Sequence, residues 1–503
     1  MKSILTADQI RATEQHTIET VPIASINLME NAATAFADVI ETRYGDRNTG
    51  ILICCGTGNN GGDGLAVARL LQARGYHALA VWVIRFSDKE REEFATNLNR
   101  LHHTPVPITE FFPGDELPPI TQEVIIDALL GAGLNKPLEG DWLRIANHIN
   151  ESRKHVIAVD IPTGLRADGI MPDAEQAIYA HDTVSFQRPK ISFFFPESAK
   201  AMARFRVVDI GLDETFMEQL PVDFRVIETQ DVQRIYRPRQ PFSHKGTYGH
   251  ALIVAGSESR MGAALLSSGA SLYSGAGLVT ACIPKSGLTT LNMRYPEVMY
   301  CTREELASRR NMYNAIALGP GLGDCARLLE TVLSNAAKPL VLDADAISAI
   351  SEDPSLVERL PPGCILTPHM KEFDRLFGQH ANWWTRIQTA RKTSSRHRVI
   401  IVLKNRYTFI VLPEGQIWIN PTGNAAMATG GSGDVLTGML AAFLAQGYTA
   451  QDAAVLACYI HGAAGDQLAS QGMAVVPASL LIQQIPLVMG SFEDRGHDHH
   501  HSV

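Results

Sequence analysis

Between Gly50 and Leu212, short runs of consecutive apolar residues alternate with longer stretches whose apolar positions recur every three or four residues. The runs are ILICC, ALAVWVI, EVIIDALLG, HVIAVDIP and FRVVDIG, and the clearest helical stretch is GLAVARLLQARG. Continuous apolar runs bounded by turn residues are strands buried on both faces, and interleaving them with helices gives repeated βαβ units around a mostly parallel sheet. The pattern therefore predicts a three-layer α/β/α sandwich. Ahead of it, the first fifty residues read as two helices. Thr6 is placed to cap DQIRATEQHTIE, and SINLMENAATAFADVIETRYG carries a second helical pattern.

The rhythm breaks between Glu214 and about Pro241, where ETQDVQRIYRPRQPF mixes charge with two prolines. A domain boundary is expected there, which separates residues 1–215 from 228–490. A second series of βα units starts at HALIVAG and continues through AIALGPG, PLVLDADAI, CILTPHMKEF and VIIVLKN. YTFIVLPEGQIWIN predicts a hairpin turning at Pro413 to Gln416, and helices close the chain. Two α/β domains in series also suit the length, since 503 residues is about three times the ~150-residue norm for one core.

Composition narrows the partners more than the fold. Hydrophobic residues at 45% and charged residues at 19% exclude wholesale disorder. The net charge of −9, from 53 acids against 44 bases, offers no basic footprint for nucleic acid. Seven scattered cysteines form no CxxC pair and read as reduced core thiols. Neither a signal peptide nor a membrane-length apolar run stands out, so a cytoplasmic homo-oligomer acting on small molecules, with no membrane and no nucleic acid, is the expectation. The final GHDHHHSV is a metal chelator, a tag or a frayed polar tail.

Two glycine-rich stretches carry the chemistry. In the first, ILICC runs into GTGNNGGDGLAVARLL, where Gly58, Gly61, Gly62 and Gly64 let the backbone turn and approach a ligand. A helix start at Asp63 to Leu65 would offer unpaired N–H groups to an anion such as a phosphate. The alternative is a structural turn that opens a helix. Asp127, expected just past the strand of EVIIDALLG, and Asp160 and Thr163 of HVIAVDIPTG sit at further strand ends, which converge on one crevice in an open parallel sheet. The Asn60 amide, the Asp127 carboxylate and the Thr163 oxygens form a hard oxygen set with one negative charge, which suits potassium better than a divalent ion.

GTGNNGGDGLAVARLL, DALLGAGLNKPLEG and VDIPTGLRADG together resemble the N-terminal half of the bifunctional NAD(P)H-hydrate repair enzymes, related to the apolipoprotein A-I binding protein fold, over roughly residues 1–215. The resemblance implies a Rossmann-like domain that interconverts the R and S forms of hydrated NADH and NADPH, with one bound potassium ion. It implies that Asn59, Asn60, Gly61, Gly62 and Asp63 hold the hydrated dinucleotide together with Gly131, Ala132, Gly133, Leu134, Asn135, Lys136, Pro137 and Asp160. Potassium would sit on Asn60, Asp127 and Thr163. Thr57 stands where the family often has another small or cyclic residue. Epimerising a hydroxylated ring carbon needs an acid–base group beside the ring. Asp160 is the candidate, and a carboxylate that caps the IPTG turn is the alternative.

The second stretch is NAAMATGGSGDVLTGMLAAFLAQG. Gly430, Gly431, Ser432 and Gly433 lead into a helix, so successive N–H groups point at one anion position while Asp434 falls in the first turn. Asp434 can take the proton of a hydroxyl that attacks a terminal phosphoryl group, or it is simply an acid favoured by the helix dipole. No GxxxxGK[ST] is present, so a P-loop is excluded.

With KGTYGHALIVAGS, GAGLVT, ALGPGLG, LDADAI, TPHMKEF and VLKN, this stretch resembles the ribokinase-like ADP/ATP-dependent NAD(P)H-hydrate dehydratases over residues 228–490. The resemblance implies phosphorylation of the 6-hydroxyl of the S-hydrate followed by loss of phosphate, with Mg2+ and with ADP preferred as donor, giving AMP. Lys404, Asn405, Arg406, Tyr407, Thr408 and Gly433 would bind the nucleotide. Asp434, Ala263, Gly321 and His369 would touch the hydrate. Lys404 could instead be solvated and His369 a hydrogen-bonded core histidine. Asp343, Asp345 and Glu372, the last three residues beyond His369 on a shared helical face, could organise magnesium through water. Met370-Lys371 and Ala425-Ala426 replace the family's frequent Pro-Gly, and VLKN replaces VLKG. A ribokinase-type small-molecule kinase with a non-catalytic N-terminal module is the alternative reading.

Overall fold

A computed structural model describes residues 1–21, 23–87, 89–169, 176–334 and 338–493. The chain divides into two units, one of Ser3–Val222 with Asn382–Trp384 and the other of Met1–Lys2, Asp223–Ala381 and Thr385–Val503. The His-rich tail lies outside the described residues. No helix among the described residues is long and apolar enough to cross a membrane. All seven cysteines are buried and free, as core thiols should be.

The first unit holds a seven-stranded parallel sheet in the order Ile108–Phe111, Leu79–Ile84, Ile51–Cys55, Val124–Ala128, His155–Val159, Asp182–Phe186 and Phe205–Val208. The apolar runs are continuous because both faces are covered. Ile51, Ile53 and Cys55 pack with Phe36 and Ile40 of the helix Ser25–Arg43, while Leu52 and Cys54 pack with Ile145 and Ile149 of the helix Gly140–Glu151. That is the expected α/β/α sandwich. Thr6 caps the helix Ala7–Thr20, its hydroxyl accepting from the Gln9 amide while the Gln9 side chain accepts from the Thr6 N–H.

Two strands, Ile108–Phe111 and Asp182–Phe186, lie where no strand was expected. DTVSF alternates polar and apolar residues and so lacks the continuous apolar signature. Asp127 is the fourth residue of the strand Val124–Ala128 rather than a residue beyond it. The glycine-rich helix starts at Asn59, four residues before the expected Asp63. Gly61 permits this, because a Cβ there would lie 1.7 Å from the Gly56 carbonyl oxygen, so only glycine lets the first turn fold straight back onto the strand end.

In the second unit the parallel run is Met299–Cys301, Leu278–Cys282, His250–Val254, Ala315–Leu318, Leu340–Leu342, Ile365–Leu366 and Ile400–Leu403. The antiparallel strands Thr408–Val411 and Ile417–Asn420 extend it as the expected hairpin, with Val411 opposite Ile417. The helices Met261–Tyr273, Ser432–Ala445, Ala450–Ser470 and Ala478–Gly490 bury their apolar faces in one core with Ala251, Ile253 and Ala317 of the sheet. Each sheet reverses its strand order beside its first βα strand, between Ile51–Cys55 and Val124–Ala128 and between His250–Val254 and Ala315–Leu318. Open α/β sheets bind their ligands in the crevice at such reversals.

Candidate active sites

At the reversal of the smaller sheet lies a cavity of about 530 Å³. Asn59, Asn60, Asp63, the run Gly131 to Lys136, and Asp160 line it, so residues expected from three separate strand ends meet there. Gly61, Gly62 and Pro137 do not line it. The two glycines serve close packing instead, Gly61 against the Gly56 backbone and Gly62 against the Met29 side chain.

Beneath this cavity Asp127 is fully buried. Its carboxylate accepts the Thr163 N–H at 2.8 Å, the Thr163 hydroxyl at 2.7 Å and the Leu129 N–H at 3.3 Å. Burial pushes its pKa up to about 6, and the three donors pull in the other direction. Its hydrogen-bond partners include no cationic group. Asn60, whose side chain faces Gly131, has a buried amide nitrogen with no hydrogen-bond partner. The buried Asp127 carboxylate and the Thr163 hydroxyl are hard oxygen ligands with one negative charge, which fits a desolvated monovalent cation, whereas the unpartnered Asn60 nitrogen is a donor that calls for an acceptor.

Asp160 follows the strand His155–Val159 with a left-handed backbone, φ +64°. It does not cap its own IPTG turn. Its Oδ1 instead accepts the Phe186 N–H at 2.9 Å, the Ser185 hydroxyl at 3.3 Å and the Lys190 ammonium at 2.5 Å. Lys190 is 4% exposed and also donates to Ser185 Oγ and the Arg188 carbonyl. Glu14, from the helix Ala7–Thr20, lines the same cavity. Burial first and Asp160 second push its pKa up to about 7, against Lys190 and Arg11. Burial, with Asp160 and Glu14 nearby, also holds Asp63 well above the usual carboxylate range.

Sequence reasoning missed Lys190 and Glu14. The signal for Lys190 was a lone lysine at the head of the apolar KISFFF. For Glu14 it was the spacing of Ala7, Ile10, Arg11 and Glu14, which places all four on one helical face.

In the second unit, Gly431 with φ +91° caps the helix Ser432–Ala445, and a Cβ on it would lie 2.4 Å from the Leu266 Cδ1. The helix N-terminus thus presents the N–H groups of Ser432, Gly433 and Asp434. Asp343, 2% exposed, stands just past the strand Leu340–Leu342. It accepts from Lys404 Nζ at 2.9 Å and from the Thr437 hydroxyl at 2.7 Å. Burial works against the Asp343 charge, yet Lys404 and Thr437 hold its pKa below the ordinary value. Lys404 is therefore not a solvated lysine. A Cβ on Gly433 would lie 3.5 Å from its Nζ, so ammonium and helix start face one position. Asp434 accepts no hydrogen bond among the described residues. Burial and then Asp343 push its pKa up to about 6, with Lys404 opposing.

His369 pairs with Lys404 through an isolated parallel bridge and is not a core residue. Its side chain is half exposed. Its Nδ1 accepts the N–H groups of Lys371 and Glu372 while Glu372 accepts the His369 N–H, so this pair is a capping box rather than a face of metal ligands. Asp345 accepts the Gly323 N–H and pairs with Arg260. Ala263 and Gly321 lie against each other, since a Cβ on Gly321 would be 2.8 Å from the Ala263 Cβ. Among the described residues no cluster of three or more His, Cys, Asp or Glu could hold a metal directly.

A second cavity, of about 360 Å³, opens beside the helix start. It is lined by Lys404, Asn405, Arg406, Thr408 and Gly433 together with Asn424 and His461. Tyr407 does not line it; the Arg406 guanidinium lies 4.5 Å from its ring centroid. His461, which the sequence did not single out, has a pKa lowered to about 4 by burial, so at neutral pH its Nε2–H donates to the Ser432 carbonyl at 3.0 Å.

The family described as NAD(P)H-hydrate dehydratase matches residues 251–487, and the one described as YjeF-related protein N-terminus matches residues 25–192. The chain is 34% identical over 498 residues to the bifunctional NAD(P)H-hydrate repair enzyme Nnr of Moorella thermoacetica, covering 94% of each. It is 30% identical over 503 residues to the enzyme of the same description from Escherichia coli, covering 98% of this chain and 95% of that one. A ribokinase-like superfamily protein from Enterococcus faecalis superposes on 54% of this chain and 96% of its own, with TM-score 0.50 and 29% identity.

Proposed function

The chain belongs to the bifunctional NAD(P)H-hydrate repair enzymes, and from that premise we propose how its two units divide the work. The first, Rossmann-like unit interconverts the R and S hydrates of NADH and NADPH in the cavity lined by Asn59, Asn60, Asp63, Gly131 to Lys136 and Asp160. The second, ribokinase-like unit dehydrates the S form at the expense of an adenine nucleotide. Joining the two is chemically sensible, because damage yields both epimers and the dehydratase takes one.

The observation that carries the dehydratase reading is the meeting of three features at one point. These are a helix start with free N–H groups, a lysine held in place by Asp343, and an acid in the first turn with no hydrogen-bond donor of its own. The N–H groups of Gly433 and its neighbours and the Lys404 ammonium stabilise the phosphoryl group being transferred. Asp434 takes the proton of the 6-hydroxyl as that oxygen attacks the terminal phosphorus. Phosphate then leaves with the C–O electron pair in place of hydroxide, a far poorer leaving group, and the ring nitrogen forms the C=N bond. Loss of a proton from the neighbouring ring carbon to the phosphate or to water restores the dihydronicotinamide. Ala263, Gly321 and His369 contact the hydrate, and Asn405, Arg406, Tyr407 and Thr408 the nucleotide.

ADP is the donor on this reading, giving AMP and phosphate. Asp343, Asp345 and Glu372 would hold a hydrated Mg2+ through water, and that ion would supply charge neutralisation on the nucleotide phosphates. In the first unit Asn60, Asp127 and Thr163 would hold potassium through their oxygens, which would supply the positive charge that the buried Asp127 lacks among its hydrogen-bond partners. Asp160 acts as the acid–base group there. The protein works in the cytoplasm as a homo-oligomer.

The deciding experiment is incubation of mixed-epimer NADH hydrate with the protein and either ADP or ATP, following the returning ultraviolet absorbance of NADH together with free phosphate. Recovery of both epimers with phosphate release is expected. A phosphorylated product that accumulates would point to a small-molecule kinase instead.

A further inference from the structure

The helix Ala7–Thr20 lays one face along the epimerase cavity, with Ala7, Ile10, Arg11 and Glu14 all lining it. Glu14 is the one member of that face that carries a carboxyl group. No hydrogen bond reaches it from any described residue. Asp160 differs sharply, since its Oδ1 already takes the Lys190 ammonium, the Phe186 N–H and the Ser185 hydroxyl. The cavity therefore holds one carboxylate fixed by three donors and two carboxyls, Glu14 and Asp63, that no hydrogen bond from a described residue engages; Asp63 is the one already assigned to holding the dinucleotide.

Epimerisation uses two such groups. The hydroxylated carbon of the hydrate neighbours the ring nitrogen. Its C–O bond breaks with the electron pair leaving on oxygen, provided that oxygen receives a proton and departs as water, while the nitrogen lone pair forms the C=N bond. Water then adds to the opposite face and gives up a proton. One proton is donated, one is accepted, and nothing is oxidised or reduced. A single carboxyl fixed on one side of the ring serves one face well and the other badly.

We propose that Glu14 is a further catalytic residue of the epimerase unit, the acid that protonates the departing hydroxyl while Asp160, held by Lys190, accepts the proton of the returning water. The roles exchange in the reverse direction. This rests on the epimerase reading given above. The charged groups facing Glu14 are Asp160, Lys190, Arg11 and Asp63. Burial and Asp160 outweigh the two cations and push its pKa up to about 7, so Glu14 keeps a proton far more readily near neutral pH than an ordinary glutamate does.

The test uses full-length E14Q and E14D, with the R and S hydrates of NADH separated by chromatography and each preparation also assayed for dehydration of pure S-hydrate. E14Q should lower kcat of epimerisation by about 10²- to 10⁴-fold with little change in KM, and should lose the decline in wild-type rate above about pH 7. Dehydration by the other unit reports that the chain is intact. E14D should keep a reduced rate and a displaced pH limb, which decides the matter if E14Q proves unstable. Wild-type epimerisation and an unshifted limb in either variant would overturn the assignment. A wild-type protein that does not accelerate interconversion at all would instead overturn the epimerase reading beneath it.

Discussion

Lys190 Nζ lies 2.5 Å from Asp160 Oδ1, and the strand Asp182–Phe186 is what joins them. This strand pairs with His155–Val159, delivers the Phe186 N–H and the Ser185 hydroxyl to Asp160, and then turns so that Lys190 reaches back to the same oxygen. A carboxylate with a left-handed backbone, fixed by three donors, is oriented before any substrate arrives.

Replacing that lysine should therefore be felt in catalysis more than in binding. K190M leaves Asp160 without its cation and its closest donor, and epimerisation kcat should fall by at least about 10²-fold, with dehydration of S-hydrate unaffected. Steady-state kinetics of both reactions on one preparation measure this. Equal loss of both activities would mean that the lysine is needed for the fold and not for the site.

The potassium assignment predicts a cation dependence that one substitution removes. Wild-type protein should epimerise faster, and its first unit should melt higher, in potassium chloride than in tetramethylammonium chloride of equal ionic strength. In D127N the carboxylate that the cation neutralises is gone, so the two salts should give the same rate and the same melting temperature.

Asp434 links activity and stability with opposite signs. Its carboxyl, ordinarily near 3.8, is pushed up to about 6 by burial and by Asp343. As the base it must be ionised, so dehydration should rise through about pH 6 and level off above it. A raised folded-state pKa means stability that is full below the unfolded value and lost as pH rises through about 6. D434N should abolish dehydration, leave epimerisation intact, and melt higher than wild type at pH 8 but not at pH 4. Differential scanning calorimetry at the two pH values separates these outcomes.

Two glycines three residues apart should behave oppositely. A Cβ at Gly61 would stand 1.7 Å from the Gly56 carbonyl oxygen, whereas one at Gly58 meets nothing within 4 Å. G61A should destabilise the first unit by at least about 3 kcal/mol, because the obstacle is backbone that cannot move aside. G58A, at a helix N-cap, should cost no more than about 1 kcal/mol. Urea denaturation followed by far-ultraviolet circular dichroism compares them.

Much of this molecule was legible along the chain. Continuous apolar runs announced parallel strands covered on both sides, and the break between Glu214 and about Pro241 pointed to two cores. The glycine-headed helix at Ser432 with Asp434 in its first turn was legible too, because each of these features depends on residues close in sequence. DTVSF escaped notice because Thr183 and Ser185 are buried for a tertiary reason, Ser185 serving the aspartate just past the neighbouring strand.

What only the folded chain decided is which groups share a cavity and in what state of charge. Asn60, Asp127 and Thr163 were picked out by type, but that Asp127 is buried with no cationic hydrogen-bond partner among the described residues depends on a sheet reversal. His369 turned out to cap a helix, and Lys404 to be locked to Asp343 sixty-one residues away. Glu14 and Lys190 come together from opposite ends of the first unit. Proton affinity depends on the dielectric and the charges within a few ångströms, which no spacing along the chain records.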